Sequence, residues 1–287
     1  MINVFQAEWY KSVRNTWQIG IFIYGIPLFT LAVYTIEFMV FLADSPPGLA
    51  LDHNWLTQML HLWQSTSQVQ AQFIVVLVTT SFFAGEYATD TWKSIIPRST
   101  RTHLIFSKVA VLLALLVLSV FMASLMAGVF TVILSTLRGL PPGPTLAEAV
   151  SQGLASVYLQ TVLYAVAVWL ITILITASAS LLTHSVMVGA IIGIGFVVLD
   201  ASLLLALYTV YQTVAAELLV HLYQVSPGYN LTNIWMWIQT GVGYTPFIED
   251  FAVVSPSSLE LSLRYMVVWI VGLTAVAQAL FRRQNIT

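Results

Sequence analysis

The chain has 287 residues, of which 59% are hydrophobic and only 8% are charged. Soluble domains carry about 25% charged residues, so this composition excludes a water-soluble enzyme, a disordered chain and a coiled coil, and it indicates that lipid surrounds most of the protein. The net charge of −2 offers no basic surface to nucleic acid. The absence of cysteine excludes disulfides and thiolate metal sites.

Residues 1–16 precede the first long apolar run and have an amphipathic pattern. An apolar residue recurs every four positions, at Met1, Phe5, Trp9 and Val13. This is the spacing of one face of a helix. Residues 1–16 are therefore predicted to form an interfacial elbow helix in the plane of the lipid headgroups. The alternative is that they are the start of a long first helix.

Six mostly apolar runs follow, of the length with which a helix crosses a bilayer, about 20 residues. They are 17–42, 68–85, 109–137, 154–182, 185–211 and 265–281. The runs are too evenly apolar for the alternating strands of a membrane barrel. We therefore predict an all-α integral membrane protein, with a six-helix transmembrane domain over residues 17–287.

The basic residues predict the orientation of the spans. With the N-terminus in the cytoplasm, eight of the ten lysines and arginines are cytoplasmic: Lys11, Arg14, Lys93, Arg98, Arg101, Lys108, Arg282 and Arg283. Arg138 and Arg264 then lie outside. Because cytoplasmic loops carry the excess of lysine and arginine, both termini are predicted to be cytoplasmic. The link between the fourth and fifth spans, at Thr183 and His184, is short enough to make these spans a hairpin.

Residues 212–264, between the fifth and sixth spans, are too polar for one span but contain apolar clusters. The sequence Ser226-Pro227-Gly228 interrupts them near the middle. We predict two short re-entrant helices that meet at this break in the outer leaflet, because irregular backbone at membrane depth requires protein or a water-filled cavity around it. An ordinary external cap is the alternative.

Two acidic residues fall inside the predicted spans, Asp200 near the middle of the fifth and Glu37 in the outer third of the first. An acid at the bilayer centre costs about 2.5–3.5 kcal/mol on insertion scales, so Asp200 is expected to face the interior of the bundle. Each acid is either a contact in a translocation path or a structural hydrogen-bonding group. Tyr34 and Phe38 are further candidates for a path, or else interface anchors or core residues.

A pair of small residues, Gly189 and Gly193, lies one turn apart in the fifth span. Such pairs allow helices to approach closely. The sequence leaves open whether this face packs within the protein or between two protomers.

The stretch 86–108, between the second and third spans, is the most charged part of the chain. Glu86 ends a span, Pro97 interrupts the stretch, and Arg101 and Lys108 precede the next span. This order and spacing resemble the first cytoplasmic loop of type-2 ABC-transporter permeases. The matching positions are Glu86, Thr91, Ile95, Ile96, Pro97, Ser99 or Thr100, Arg101 and Lys108. The departure is Asp90, where these permeases usually have glycine.

The layout also resembles that family: an elbow helix, six spans, a short link between the fourth and fifth, and re-entrant helices before the last. The resemblance implies that the stretch 86–108 contains a coupling helix that docks on a cytoplasmic ATPase. The coupling residues would be Glu86, Thr91, Pro97, Arg101 and Lys108. Glu86 would pair with a basic group, while Arg101 and Lys108 would fix the loop to the membrane surface. Alternatively, Lys108 simply extends to the headgroups.

No phosphate-binding loop is present, because no glycine is followed by lysine. The five histidines are scattered and do not form a zinc-binding motif. We therefore expect no catalytic residue, metal or cofactor on this chain. ATP and Mg²⁺ are expected on a separate ATPase.

The resemblance thus implies the permease subunit of an ABC exporter in the cytoplasmic (inner) membrane of the cell. The implied partners are two copies of a cytoplasmic ABC ATPase, a second protomer of the same or a similar permease, and membrane lipid. The apolar spans favour a hydrophobic or amphipathic substrate, such as a lipid, a drug or a peptide. The alternatives are a permease-like sensor or immunity protein without net transport, and a membrane-embedded enzyme with Asp200, Glu37 or His221 as the acid–base group.

Overall fold

The computed structural model describes residues 2–15, 20–42, 54–88, 100–210, 215–248, 251–252 and 255–283. Almost all of this part of the chain is helical. A π-helical turn, Gly20–Gly25, precedes the second α-helix. The α-helices are α1 (Ile2–Arg14), α2 (Ile26–Leu42), α3 (Trp55–Thr66), α4 (Val69–Phe83), α5 (Gly85–Ala88), α6 (Arg101–Leu137), α7 (Leu146–Ser151), α8 (Leu154–Thr183), α9 (Val186–Val210), α10 (Ala215–Val225), α11 (Pro227–Thr240) and α12 (Leu259–Arg283). Between α11 and α12, the two-residue strands β1 (Phe247–Ile248) and β2 (Phe251–Ala252) pair in antiparallel fashion.

Five helices within the described residues are long and apolar enough to cross a membrane: Val69–Tyr87, Arg101–Leu137, Leu154–Thr183, Val186–Thr209 and Leu259–Arg283. They match the second to sixth predicted spans. The first predicted span corresponds to the π-helical turn and α2, within which Ile26–Ile36 is a shorter apolar helix, and residues 16–19 lie outside the described part. Within the described residues, the fold is therefore helical with five candidate spans, and the first predicted span is not confirmed.

Two compact units divide the chain. Unit 1 comprises Met1–Gln68 and Ala110–Val166, and unit 2 comprises Val69–Val109 and Ala167–Thr287. Of the three boundaries between them, the first lies between α3 and α4. The other two fall inside α6 and α8, so each of these helices contributes to both units.

The core of unit 1 joins α2 to the later part of α6. Tyr34 packs with Ala127 and Leu134, and Phe38 and Phe130 lie against this cluster. These apolar contacts bury the face of α2 that carries both aromatic candidates from the sequence.

Helix α3 lies between the first and second predicted spans, in a segment without a predicted helix. The side-chain oxygen of Asn54 accepts hydrogen bonds from the backbone N–H groups of Leu56 and Thr57, and it thereby caps the helix. Trp63 is almost fully buried and donates to the Tyr158 hydroxyl at 2.8 Å. The segment is helical because its tryptophan and leucine side chains have a core to pack against.

In unit 2, the glycine pair of α9 lies directly against α8 and α4. A Cβ atom at Gly193 would stand 2.7 Å from Thr176 Oγ1 and 2.8 Å from Val76 Cγ1, and one at Gly189 would stand 2.7 Å from Ser180 Oγ. Of the two alternatives that the sequence left open, this face therefore packs within the unit.

The segment between α9 and α12 contains two short helices, α10 and α11, which meet at Ser226 as predicted. A hydrogen-bond network joins α11 to the start of α12. The Asn233 amide donates to the Ser257 carbonyl at 2.9 Å and to the Ser262 hydroxyl at 2.8 Å, and the Trp237 indole also donates to the Ser257 carbonyl. The network fixes α11 on the last span.

The close packing of α9 gives a direct test. Gly193→Ala should lower the free energy of unfolding by about 1–3 kcal/mol, the usual cost of overpacking a well-packed core. Gly195→Ala on the same helix is the control, because nothing lies within 4 Å of its Cβ position, and we expect it to be neutral or stabilising by up to about 1 kcal/mol. Thermal unfolding in detergent compares the two, and equal effects would contradict the packing described.

Candidate functional site

Three of the predicted coupling residues, Glu86, Arg101 and Lys108, lie in the described part of unit 2. Thr91 and Pro97 lie outside the described residues. Helix α6 begins at Arg101, so the predicted loop returns as a helix eight residues before the apolar run at 109. At 37 residues, α6 is about 55 Å long, well above the roughly 30 Å hydrocarbon core of a bilayer. Its first turns can therefore extend beyond the hydrocarbon.

Glu86 and Lys108 form a buried ion pair between α5 and α6. Lys108 Nζ donates to Glu86 Oε1 at 2.6 Å, and the two side chains are only 2% and 7% exposed. Lys108 therefore points into the protein, towards Glu86. Each ion costs several kcal/mol to desolvate, so the pair is stable only while both partners stay in place. The contact ties the end of one span to the start of the next.

Arg101 binds the end of the last helix. Its guanidinium donates to the carbonyl of Phe281 at 2.9 Å and to that of Arg282 at 2.7 Å, and it lies 5.8 Å from the centre of the Phe281 ring. The last carbonyls of a helix have no partner within it, and a cation there also meets the negative end of the helix dipole. Arg101 therefore caps α12. Arg282 adds a second contact between α12 and α6 by donating a hydrogen bond to Thr102.

A ring contact joins the same region to the hairpin of α8 and α9. The rings of Tyr87 and His184 lie 4.4 Å apart at an angle of 41°. His184 is in the short link between the two helices and has a φ of 54°, a left-handed conformation that is uncommon for residues other than glycine. The short link predicted from the sequence is thus confirmed, and its histidine packs on the start of the 86–108 stretch.

Of the four predicted path residues, Tyr34, Glu37 and Phe38 belong to unit 1 and Asp200 belongs to unit 2. Tyr34 is buried in the core of unit 1, where its hydroxyl donates to Gln58 at 3.3 Å and its ring stacks on Phe130. Phe38 packs against the same cluster. Glu37 is part of α2, but its side chain is outside the described part. Asp200, in unit 2, lines a cavity.

The Asp200 carboxylate faces the break between α10 and α11. It accepts a hydrogen bond from the backbone N–H of Gly228 at 3.4 Å and one from the Ser226 hydroxyl. A Cβ atom at Gly228 would come too close to this carboxylate, so the glycine allows the observed close approach of Asp200. The sequence singled out both Asp200 and the break, but it did not show that they touch.

The cavity beside Asp200 has a volume of about 50 Å³. It lies within unit 2 and is lined by Gln72, Val168, Ile171, Thr172, Phe196, Val197, Asp200, Pro227, Gly228 and Leu231. Tyr223, on α10, is close enough for the Asp200 charge to act on it. Burial raises the pKa of Tyr223, and the neighbouring Tyr244 and Asp200 raise it further, so Tyr223 stays neutral.

Unit 1 contains a second cavity of a different kind, which sequence reasoning missed. It is an open groove of about 600 Å³ with an almost wholly apolar lining. The lining residues are Trp55, Met59, Leu125, Gly128, Val129, Val132, Ile133, Pro144 and Leu146. At its rim, the Trp55 indole N–H donates to the Pro144 carbonyl at 2.8 Å, so this polar group is already satisfied. The groove offers contact mainly to hydrocarbon.

The sequence matches the protein family described as "ABC-2 family transporter protein" over residues 4–196. The chain belongs to the ABC-2 transporter family. No curated protein and no solved structure matches the chain. Together with the apolar helices, membership identifies a multi-pass membrane protein of the ABC-2 permease type, as the sequence predicted. The matched region contains the whole 86–108 stretch but ends before Asp200 and the helices that follow it.

The buried ion pair of this ABC-2 protein predicts a specific pattern of stabilities. Lys108→Met should lower the free energy of unfolding by about 3–5 kcal/mol, because it leaves the Glu86 carboxylate buried without its ammonium partner. The double variant Glu86→Leu/Lys108→Met should recover part of this loss, since an apolar pair of similar volume is often tolerated. Lys11→Met, at an exposed position, is the control. Thermal unfolding in detergent measures all three, and additive losses in the double variant would argue against the pair.

Proposed function

We propose that this protein is the permease subunit of an ABC transporter, which couples ATP hydrolysis by a separate cytoplasmic ATPase to the export of a hydrophobic or amphipathic substrate. Two ATPase copies, each binding ATP and Mg²⁺, would serve a dimer of this permease with the same or a similar protomer in the cytoplasmic (inner) membrane. The permease itself would catalyse no reaction. The observation that carries the proposal is that both ends of the 86–108 stretch are fixed to other helices of unit 2.

The proposed coupling uses three contacts. The Glu86–Lys108 pair holds the two ends of the stretch together, the Tyr87–His184 contact leads to the hairpin of α8 and α9, and Arg101 leads to α12. A displacement of the stretch by the ATPase would reach three spans through these contacts. Rigid-body shifts of packed helices are a usual form of such transitions.

The two cavities support the proposed substrate class. The groove of unit 1 has the volume of a typical ligand site, about 300–1,000 Å³, and its apolar lining fits hydrocarbon. The cavity at Asp200 is far too small for a lipid, a drug or a peptide. We therefore propose that the hydrophobic part of the substrate contacts unit 1, and that Tyr34 and Phe38 support the groove region by packing.

Co-purification tests the partner. We expect the tagged protein, extracted in mild detergent, to retain a chain of ABC-ATPase size, and we expect hydrolysis in the complex to rise with a hydrophobic substrate. An isolated protein in every preparation would contradict the proposal. If the protein forms a complex with an ATPase but the complex never moves substrate into or out of vesicles, the result would instead indicate a permease-like sensor without net transport.

Arg101→Ala should reduce substrate-stimulated hydrolysis by about tenfold or more, because a hydrogen bond to a charged group contributes about 1.5–3 kcal/mol and two are lost. Arg264→Ala is the matched control, since Arg264 is exposed and pairs only locally with Glu260 in the described structure. Hydrolysis by the reconstituted complex measures both. An Arg101→Ala complex with normal stimulation would show that the cap on α12 is not part of the coupling.

Tyr87→Ala should lower the transport obtained per ATP hydrolysed several-fold, because it removes the ring that contacts His184. Tyr87→Phe retains the ring and should behave as wild type. Vesicle transport and hydrolysis are measured together. Equal effects of the two variants would show that the hydroxyl, and not the ring contact with the hairpin, matters.

A further inference from the structure

We propose that the cavity beside Asp200 binds a small monovalent cation, either an alkali ion or the ammonium group of an amine. The cavity lies among α4, α8, α9 and α11, all within unit 2. Its polar lining comes from Gln72, Thr172 and Asp200, and among the described residues that line it none is basic. The binding does not require the coupling proposed above.

The polar groups of the lining supply oxygen atoms to a ligand. The Thr172 hydroxyl has one proton, for which Gln72 Oε1 and the Val168 carbonyl are alternative acceptors, each at 3.0 Å. Its lone pairs remain available as acceptors. Asp200 contributes a carboxylate. Oxygen ligands of this kind, a carboxylate with an amide and a hydroxyl, suit hard cations and ammonium groups. For an anion, these groups offer no donor as strong as the carboxylate is as an acceptor for a cation.

The charge of Asp200 is only partly balanced by the protein. The Gly228 N–H and the Ser226 hydroxyl donate to the carboxylate, and the start of α11 adds the positive end of a helix dipole, equivalent to about half a charge. A carboxylate away from bulk water either takes up a proton or needs a compensating charge. A bound cation in the adjoining cavity supplies that charge.

The position of the carboxylate is built into the fold. A Cβ atom at Gly228 would come too close to the Asp200 carboxylate, so a side chain there would displace that carboxylate. The backbone break thus holds the carboxylate on one side, while the cavity leaves space on the other side. A ligand beside Asp200 would occupy the space on the cavity side.

The size of the cavity limits the ligand. A water molecule needs roughly 10–15 Å³ of this volume, so 50 Å³ admits about three to five molecules of that size. A sodium or potassium ion with a few waters fits, and so does methylammonium. Choline, with its seven heavy atoms, does not fit and serves as a control for ionic strength.

The test uses the full-length permease in detergent without any ATPase, so that its result is separate from that of the coupling experiments. Thermal unfolding is followed while choline chloride is replaced, at constant ionic strength, by NaCl, KCl or methylammonium chloride. We expect at least one of these cations to raise the Tm in a saturable manner, since a ligand that binds the folded state stabilises it. Sodium or potassium would identify an alkali-ion site, and methylammonium alone would identify an amine site.

Variants locate the effect. Asp200→Asn should abolish the cation-dependent rise in Tm, and Thr172→Val, which removes a neutral ligand and keeps the shape, should raise the concentration for half-maximal effect several-fold. Glu260→Gln removes an exposed acid of the same unit and should leave the response unchanged. The proposal is overturned if no cation differs from choline, or if the response persists in Asp200→Asn.

Discussion

The arrangement of unit 2 depends on one buried ion pair, Glu86 with Lys108. Two desolvated charges in a low-dielectric interior are tolerated only as partners, so α5 and α6 cannot separate without exposing or stranding a charge. The pair therefore fixes both ends of the 86–108 stretch at one place. A buried pair of this kind holds the two helices rigidly, whereas an exposed ion pair contributes little. The proposed coupling between an ATPase and the membrane spans requires such a rigid connection.

Close packing extends this joint into a larger body. Gly189 and Gly193 let α9 approach α8 and α4 so nearly that no side chain fits between them. The hairpin link touches α5 through His184, and Arg101 caps α12. Densely packed helices transmit displacement because interiors have low compressibility. The helices of unit 2 are thus connected by contacts of three different kinds, which is the physical basis of the proposed coupling.

The two units offer ligands opposite chemistries. Unit 1 has a wide apolar groove whose rim indole is already hydrogen-bonded, so it favours hydrocarbon. Unit 2 has a small cavity with one carboxylate and neutral oxygens, so it favours a small cation. An acid in a membrane span is costly, and the break at Ser226-Pro227-Gly228 moderates the cost by presenting an N–H and a hydroxyl to Asp200. The break and the acid are therefore one structural feature.

The sequence by itself determined the helical membrane class, the second to sixth spans and the short link after α8. It also determined the two helices around Ser226 and the ABC-2 resemblance. These features could be predicted because the length of an apolar run, a proline–glycine break and a spaced loop motif are local signals. Only the tertiary structure decided that Lys108 turns inward to Glu86 and that Arg101 caps α12. It likewise decided that Tyr34 and Phe38 pack in the core of unit 1, that residues 55–66 are helical and that Asp200 contacts Gly228. Each of these depends on partners distant in the chain. Periodicity shows which face of a helix is apolar, but not which neighbour will cover it.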